Sequence, residues 1–373
     1  MLYIIGKKSK EVVYRRILAK RTTLLTRNVW GVPRAHAMVT YYNLDNAISS
    51  FFKENTTVTR QQCEELALSR VGGQAIPVET QGAFSYTFTA GINQSKIFQF
   101  RTHDSELDMS VISLAQTVHS QFIAVCKYHG TIGQSRPLHI YEMDKLPGAT
   151  YIMARHVSAV QPPDSAARQR NTATDLAKFF AQSWNHSQQL PSGETSALLT
   201  EFRDKFDLLH RSLPSRFASN LDRVRKELPL LFSKTFPFVL SHQDLCEMNI
   251  LIDPETGSIT GIIDWAEARI LPFGFSLWAF ENILGYMNSE GWHYYDNRHE
   301  LQQIFWKTFR MEAKTLSDDD FSLIQITRMA GLFCRYGFVL DGKVCKGVID
   351  ESDVSSFRYL DAFCAAEDWE LPV

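Results

Sequence analysis

A histidine, two carboxylates, a thiol and an amide stand together in "LSHQDLCEMNI", residues 240–250, between aliphatic runs. Three chemistries fit that stretch: a catalytic loop, a metal site, or a polar turn capped by its own Asp. Asp264 follows in "IIDW", after the strand-like runs "FPFVL", "ILID" and "SITGIIDWAEA". The last two runs are separated by the turn signal "PETG". Neighbouring strand ends would then bring His242, Asp244, Asn249 and Asp264 close in space.

The spacing His-x-Asp, four residues, then Asn, a strand, a turn and a second Asp has a chemical logic. Phosphoryl transfer asks a protein for a positioned nucleophile and for neutralised phosphate charge, with little covalent help. Asp244 can accept the proton of a hydroxyl. Asn249 and Asp264 offer the hard oxygen atoms that magnesium prefers. His242 reads as a brace of the loop through hydrogen bonds. Glu247 could touch an acceptor or a metal, or be a solvated loop acid. Glu267 could reach the same cation or face water. Cys246 has no histidine base nearby except His242, so it reads as packed beneath the loop and not as a nucleophile.

The elements that must position these residues differ in character along the chain. "NLDNAISSFFKEN" and "TVTRQQCEELALSRVGG" predict two helices, the second capped by Thr57 or Thr59 and ended by Gly72 or Gly73. "AIPVETQGAFSYTFTAG" and "KIFQFRT" predict a hairpin about "AGINQS". A helix, "SELDMSVISLAQTVHSQF", and two further strands, "AVCKYHGTIG" and "PLHIYEMD", complete a small sheet with one inserted helix. Beyond about residue 150 helical periodicity takes over. Leu176, Phe179, Phe180 and Trp184 share one face, and residues 196–226, 296–312 and 319–337 read as helices. "SDDDF" at 317–321 reads as a helix cap. Among the aromatic residues that follow the motif, Trp278 and Phe280 are expected in the core, whereas Trp292, Tyr294 and Tyr295 fit either core or acceptor pocket.

A length of 373 residues favours two lobes, and 45% hydrophobic with 21% charged residues excludes a disordered or fibrous chain. A net charge of -2 supplies no field for nucleic acid or anionic membrane. Residues 1–37 are an exception, with nine Lys or Arg and the single acid Glu11. They read as a flexible basic extension, with Met38 as an alternative start, or as a mitochondrial transit peptide. No run of about 18 apolar residues exists to span a bilayer. Six cysteines without a CxxC pair read as reduced, mostly buried thiols. A cytoplasmic protein is expected, or a mitochondrial one if the leader is cleaved.

"HQDLCEMNILID" with "IIDWAEA" resembles the catalytic and metal loops of the aminoglycoside phosphotransferase and choline kinase-like family. With "YEMDKLPG" and "FCRYGFVLDGK", the chain is most similar to fungal members, over roughly residues 60–366. The resemblance implies an α+β, bilobal protein-kinase-like fold, a small antiparallel-sheet N-lobe over a mainly helical C-lobe. It places the lobes at residues 38–147 and 148–373. It implies transfer of the γ-phosphate of ATP, with Mg2+, to a hydroxyl of a small metabolite or aminoglycoside-like acceptor. No nucleic acid or membrane partner is implied. The absence of GxxxxGK[ST] excludes a P-loop enzyme.

For the small lobe the resemblance implies a nucleotide-covering loop at Gly82 and Ser85, where backbone N–H groups approach phosphate. It implies an adenine-binding hinge around Tyr141, Glu142 and Met143. The phosphate-binding Lys of the family is replaced: Gln99 and Arg101 are the candidates, with Arg101 preferred because a neutral amide cannot offset phosphate charge. Leu114 stands near where the family has a helix Glu, Asp108 lies more than a turn earlier, and Gln243 replaces a common Gly. These departures carry the alternative reading, a catalytically impaired pseudokinase that binds a nucleotide, metabolite or partner.

Overall fold

Alternation in "SYTFTA" and "KIFQFR" puts Tyr86, Phe88, Phe98 and Phe100 on one face of a hairpin, and all four are wholly buried. The structure, a computed structural model, describes residues 42–158, 165–341 and 344–364. The expected basic extension at 1–37 lies outside the described residues.

Two units are distinguished among the described residues: one of 42–106 with 125–145, the other of 107–124 with those from 146 to 364. The segment 107–124 groups with the larger unit.

The smaller unit opens with helices α1 (Leu44–Asn55) and α2 (Arg60–Val71). Thr59 caps α2 in a capping box: its hydroxyl accepts from Gln62 N while the Gln62 side chain accepts from Thr59 N. Gly72 and Gly73 both follow with positive φ, and a Cβ on Gly73 would lie 2.5 Å from Gly91 O. The end of α2 thus packs backbone to backbone on the hairpin turn, which only glycine permits.

Strands β1 (Ile76–Pro77), β2 (Ser85–Ala90) and β3 (Lys96–Thr102) come next, then helix α3 (Met109–Val118) of the larger unit, then β4 (Cys126–Ile132) and β5 (Leu138–Asp144). The strands form one antiparallel sheet in the order β1-β2-β3-β5-β4. Its apolar face closes on Ile48, Phe51, Cys63 and Ala67 of the two helices. Its other face carries Ser85, Thr87, Gln99 and Arg101, with Ser85 opposite Arg101 and Thr87 opposite Gln99.

The larger unit continues with β6 (Ala149–Thr150), α4 (Tyr151–Ser158), α5 (Ser165–Asn185), α6 (Ser192–Ser212) and α7 (Ala218–Leu231). The single helix expected over 196–226 is two, because Pro214 lacks an N–H and forces Leu213 into an extended conformation (φ -79, ψ 153). Leu176, Phe179, Phe180 and Trp184 of α5 are buried as expected. Next come β7 (Phe238–Ser241), β8 (Ile250–Ile252), β9 (Ile259–Ile262), β10 (Arg269–Pro272), α8 (Trp278–Ile283), β11 (Gly285–Met287) and β12 (Trp292–Tyr294). The unit then runs through α9 (Arg298–Glu312), α10 (Asp318–Tyr336), β13 (Phe338–Asp341), β14 (Val344–Val348) and α11 (Val354–Phe363). Ser317 and Asp320 form a capping box at the start of α10, which accounts for the acidic run. Among the described residues no helix is long and apolar enough to cross a membrane.

The strands around the motif do not share one sheet. β7 pairs with β10, whereas β8 pairs with β9 and β6. The tight turn after β8, in which Asp253 Oδ1 accepts from Glu255 N and Thr256 N, makes β8 and β9 a hairpin. The longer loop after Ser241 carries the chain away from β7 and leaves its edge to β10.

Candidate active site

β7 ends at Ser241, and the next residue anchors the loop. His242 Nε2 donates to Ile263 O at 2.9 Å, and His242 Nδ1 accepts from Asp244 N at 3.3 Å. Both partners suit the neutral Nε2–H tautomer, and burial lowers the pKa of the ring, which lies edge-on to Trp265 at 4.6 Å. These contacts tie the ring at the start of the loop to Ile263 and Asp244. Ser276 Oγ donates to His242 O at 3.0 Å, and Gln243 Nε2 donates to Ser241 Oγ at 2.8 Å, so the residue in place of glycine also ties the loop down.

Two tight turns return the chain: Cys246 N donates to Asp244 O at 2.8 Å and Asn249 N to Cys246 O at 2.9 Å. Asn249 Nδ2 then donates to Asp244 O at 2.7 Å and to Asp244 Oδ2 at 3.1 Å. Ile263 N donates to Asn249 O at 3.0 Å, which joins the loop to the strand end that carries Asp264. Asp264 itself is left-handed (φ 63, ψ 63), a conformation Asp tolerates better than most residues. The structure thus brings Asp244 and Asn249 into direct contact and sets Asp264 next to the residue that both His242 and Asn249 hold. Cys246 is buried, as expected.

These residues fit a magnesium ion. With its nitrogen committed to Asp244, Asn249 keeps Oδ1 for a ligand. The exposed Asp264 carboxylate has no hydrogen-bond partner among the described residues. Two hard oxygen donors, with water and phosphate completing the shell, are what magnesium takes. Among the described residues no group of three His, Cys, Asp or Glu could form a metal site of the zinc kind.

Two arginines that the sequence reading did not pick out border the loop. Arg335, near the end of α10, places Nη2 2.8 Å from Asp244 Oδ1 as an ion pair not aligned as a hydrogen bond, and it covers the Trp278 ring at 4.7 Å. Arg155, on α4, donates from Nη1 to Glu247 Oε1 at 3.0 Å. Glu247 is therefore not a solvated loop acid. Arg335 lies within "FCRYGFVLDGK", but nothing in that segment's spacing points to Asp244.

In the smaller unit Ser85, Gln99 and Arg101 form one network. Gln99 Nε2 donates to Ser85 Oγ at 3.4 Å and to Thr87 Oγ1 at 3.3 Å, while its Oε1 accepts from Arg101 Nη1 at 3.1 Å. Arg101 is buried and also donates to Ser105 O at 2.6 Å and Ser105 Oγ at 2.7 Å. A phosphate contact would require it to exchange one of these partners. A Cβ on Gly82 would lie 3.3 Å from Ser85 Oγ, a tight contact. The adjoining Gln81 clamps Thr87 through both N and O, which fixes this loop on β2.

The expected hinge needs correction. Tyr141, Glu142 and Met143 lie inside β5, paired with β3 on one side and β4 on the other. Their backbone groups are spent on the two ladders, so Glu142 and Met143 cannot present them to adenine. The Glu142 carboxylate is likewise taken, by His129 Nε2 at 2.9 Å and Lys96 Nζ at 3.6 Å. Asp108 caps α3 by accepting from Ser110 N and Val111 N, and Leu114 is half-buried on that helix.

Comparison with known proteins agrees with this geometry. Residues 108–286 match the family model described as a phosphotransferase enzyme family. No curated protein matches the chain in sequence. Among solved structures, an amicoumacin kinase in complex with AMP-PNP, Ca2+ and its acceptor is 14% identical, with a TM-score of 0.50 over 80% of this chain and 90% of that one. An aminoglycoside 2'-phosphotransferase with GDP is 15% identical, with a TM-score of 0.47 over 82% and 98%. Residues 108–286, the segment that holds Asp244, Asn249 and Asp264, are thus similar to the phosphotransferase enzyme family, and the chain has a protein-kinase-like fold.

Proposed function

We propose that the chain is a small-molecule kinase that moves the γ-phosphoryl group of ATP to a hydroxyl. The observation that supports this most is the Asp244 carboxylate, oriented by Asn249 on one oxygen and Arg335 on the other, in the loop that leads to Asp264. Asp244 would accept the proton of the acceptor hydroxyl as the new P–O bond forms. His242 keeps the loop in register by holding Asp244 N and Ile263 O. Asn249 Oδ1 and the Asp264 carboxylate would hold magnesium. When bound, the ion would neutralise charge on the phosphates. Ser85 and Gly82 would approach phosphate through backbone N–H groups, and Arg101 would supply positive charge after releasing Gln99 or Ser105. The amicoumacin kinase, seen with a nucleotide analogue and a divalent cation, supports nucleotide and metal use by this fold.

The test is titration calorimetry of ATP into the protein, with and without magnesium, repeated on Asp264→Ala. Magnesium-dependent binding that the substitution abolishes is expected. Absence of ATP binding in the unaltered protein would sink the reading and favour the pseudokinase.

A further inference from the structure

The buried charges around Asp244 bear on the acceptor, and their reading rests on the function proposed above. Three carboxylates line the interior here: Asp244 and Glu247 of the loop, and Glu281 of α8. Each is matched by a buried or nearly buried arginine: Arg335, Arg155 and Arg328 respectively. The Arg155 and Glu247 side chains are only 10% and 13% exposed. A polyammonium acceptor is recognised by carboxylates whose charge is still available, and it is repelled by arginines held beside them. Here Asp244, Glu247 and Glu281 are each already countered by an arginine. A hydroxyl within about 3 Å of Asp244 would also lie close to the Arg335 guanidinium.

The groups that remain unpaired point to a different ligand chemistry. Arg155 Nε and Trp292 Nε1 are buried N–H donors without a hydrogen-bond partner among the described residues. Tyr359 lies beside Trp292, its ring 5.7 Å away, and Glu247 and Arg155 act on its hydroxyl in opposite senses. Buried donors call for acceptor oxygens, and flat aromatic faces call for a ring. From this we infer that the acceptor is an uncharged, ring-bearing hydroxy compound with ether or carbonyl oxygens, and not a polycationic amino sugar. The ring would pack on the aromatic side chains, and its oxygens would accept from Arg155 Nε and Trp292 Nε1.

The experiment is calorimetry on the full chain, first with magnesium and AMP-PNP alone, then with two kinds of probe. One is kanamycin, a polyammonium compound; the other is a set of uncharged aryl glycosides. Binding of at least one aryl glycoside and none of kanamycin is expected. Kanamycin binding by the unaltered protein overturns the inference, and so does failure of every aryl glycoside. Arg155→Gln, which frees the Glu247 carboxylate, should make kanamycin binding detectable where the unaltered protein shows none, and Glu247→Gln added to it should abolish that binding again. No gain in a folded Arg155→Gln protein also overturns the inference; if that variant does not fold, the comparison of probes on the unaltered protein decides. The nucleotide titration is separate from all of these. Its failure refutes phosphoryl transfer, while the probes still report on the acceptor site.

Discussion

Lowering the pH should destabilise the larger unit through one buried ring. His119, which follows α3, is wholly buried, stacked on Phe179 at 4.0 Å and tilted against Trp265 at 5.7 Å. Its Nδ1 donates to Gln182 Oε1 at 3.0 Å and its Nε2 accepts from Ser183 Oγ at 3.2 Å, a set that satisfies the neutral ring. Burial lowers its pKa from 6.5 to about 3, against the opposing hydrogen bond from Gln182. In the unfolded chain the ring takes up a proton near its ordinary pKa, while in the folded chain it does not. Its contribution is therefore complete above pH 6.5 and lost as the pH falls from there towards 3. At about 1.4 kcal/mol per pH unit, going down to about pH 5 costs about 2 kcal/mol from His119 alone. Urea unfolding followed by tryptophan fluorescence reads this, because the described tryptophans all lie in the larger unit. The difference in stability between about pH 7 and pH 5 should shrink by about 2 kcal/mol in His119→Gln, with other titrating groups cancelling in the comparison. An equal loss in both proteins would refute the argument. Trp265 directly follows Asp264, so the same acid range should loosen the loop proposed to hold metal.

Other outcomes test the site and the frame separately. Asp244→Ala should lower turnover by roughly 10²- to 10⁴-fold with ATP affinity nearly unchanged, which single-turnover kinetics beside calorimetry would check. Glu281→Gln should destabilise the larger unit by about 3–5 kcal/mol by stranding the buried Arg328 charge, whereas Glu281→Gln with Arg328→Met should recover most of that in urea unfolding. Thr59→Ala should cost about 1 kcal/mol by removing half of the capping box on α2, measured as a shift in the unfolding midpoint of the smaller unit.

The motif was legible because its contacts are local. Asp244, Asn249 and His242 meet through hydrogen bonds spanning two to five residues, so their spacing in the chain nearly determines their spacing in space. Strand alternation likewise assigned Phe98 and Phe100 to the core and Gln99 with Arg101 to the other face. The break at Pro214 was a local signal too, but the apolar period running across it hid the stop.

What the sequence alone determined about this protein is the constellation of His242, Asp244 and Asn249 and the class of fold that carries it, because short-range spacing and periodicity obey backbone geometry. Only the tertiary structure decided which groups surround that constellation. Arg155 reaches Glu247 across 92 residues, and Arg335 arrives on a helix packed late in the chain. The removal of Glu142 and Met143 from the hinge, and the pairing of β7 with β10, depend on which strand edges are already occupied. Charge pairing and edge pairing are settled by whatever partner packing brings within a few ångströms, and no spacing within one segment encodes that partner.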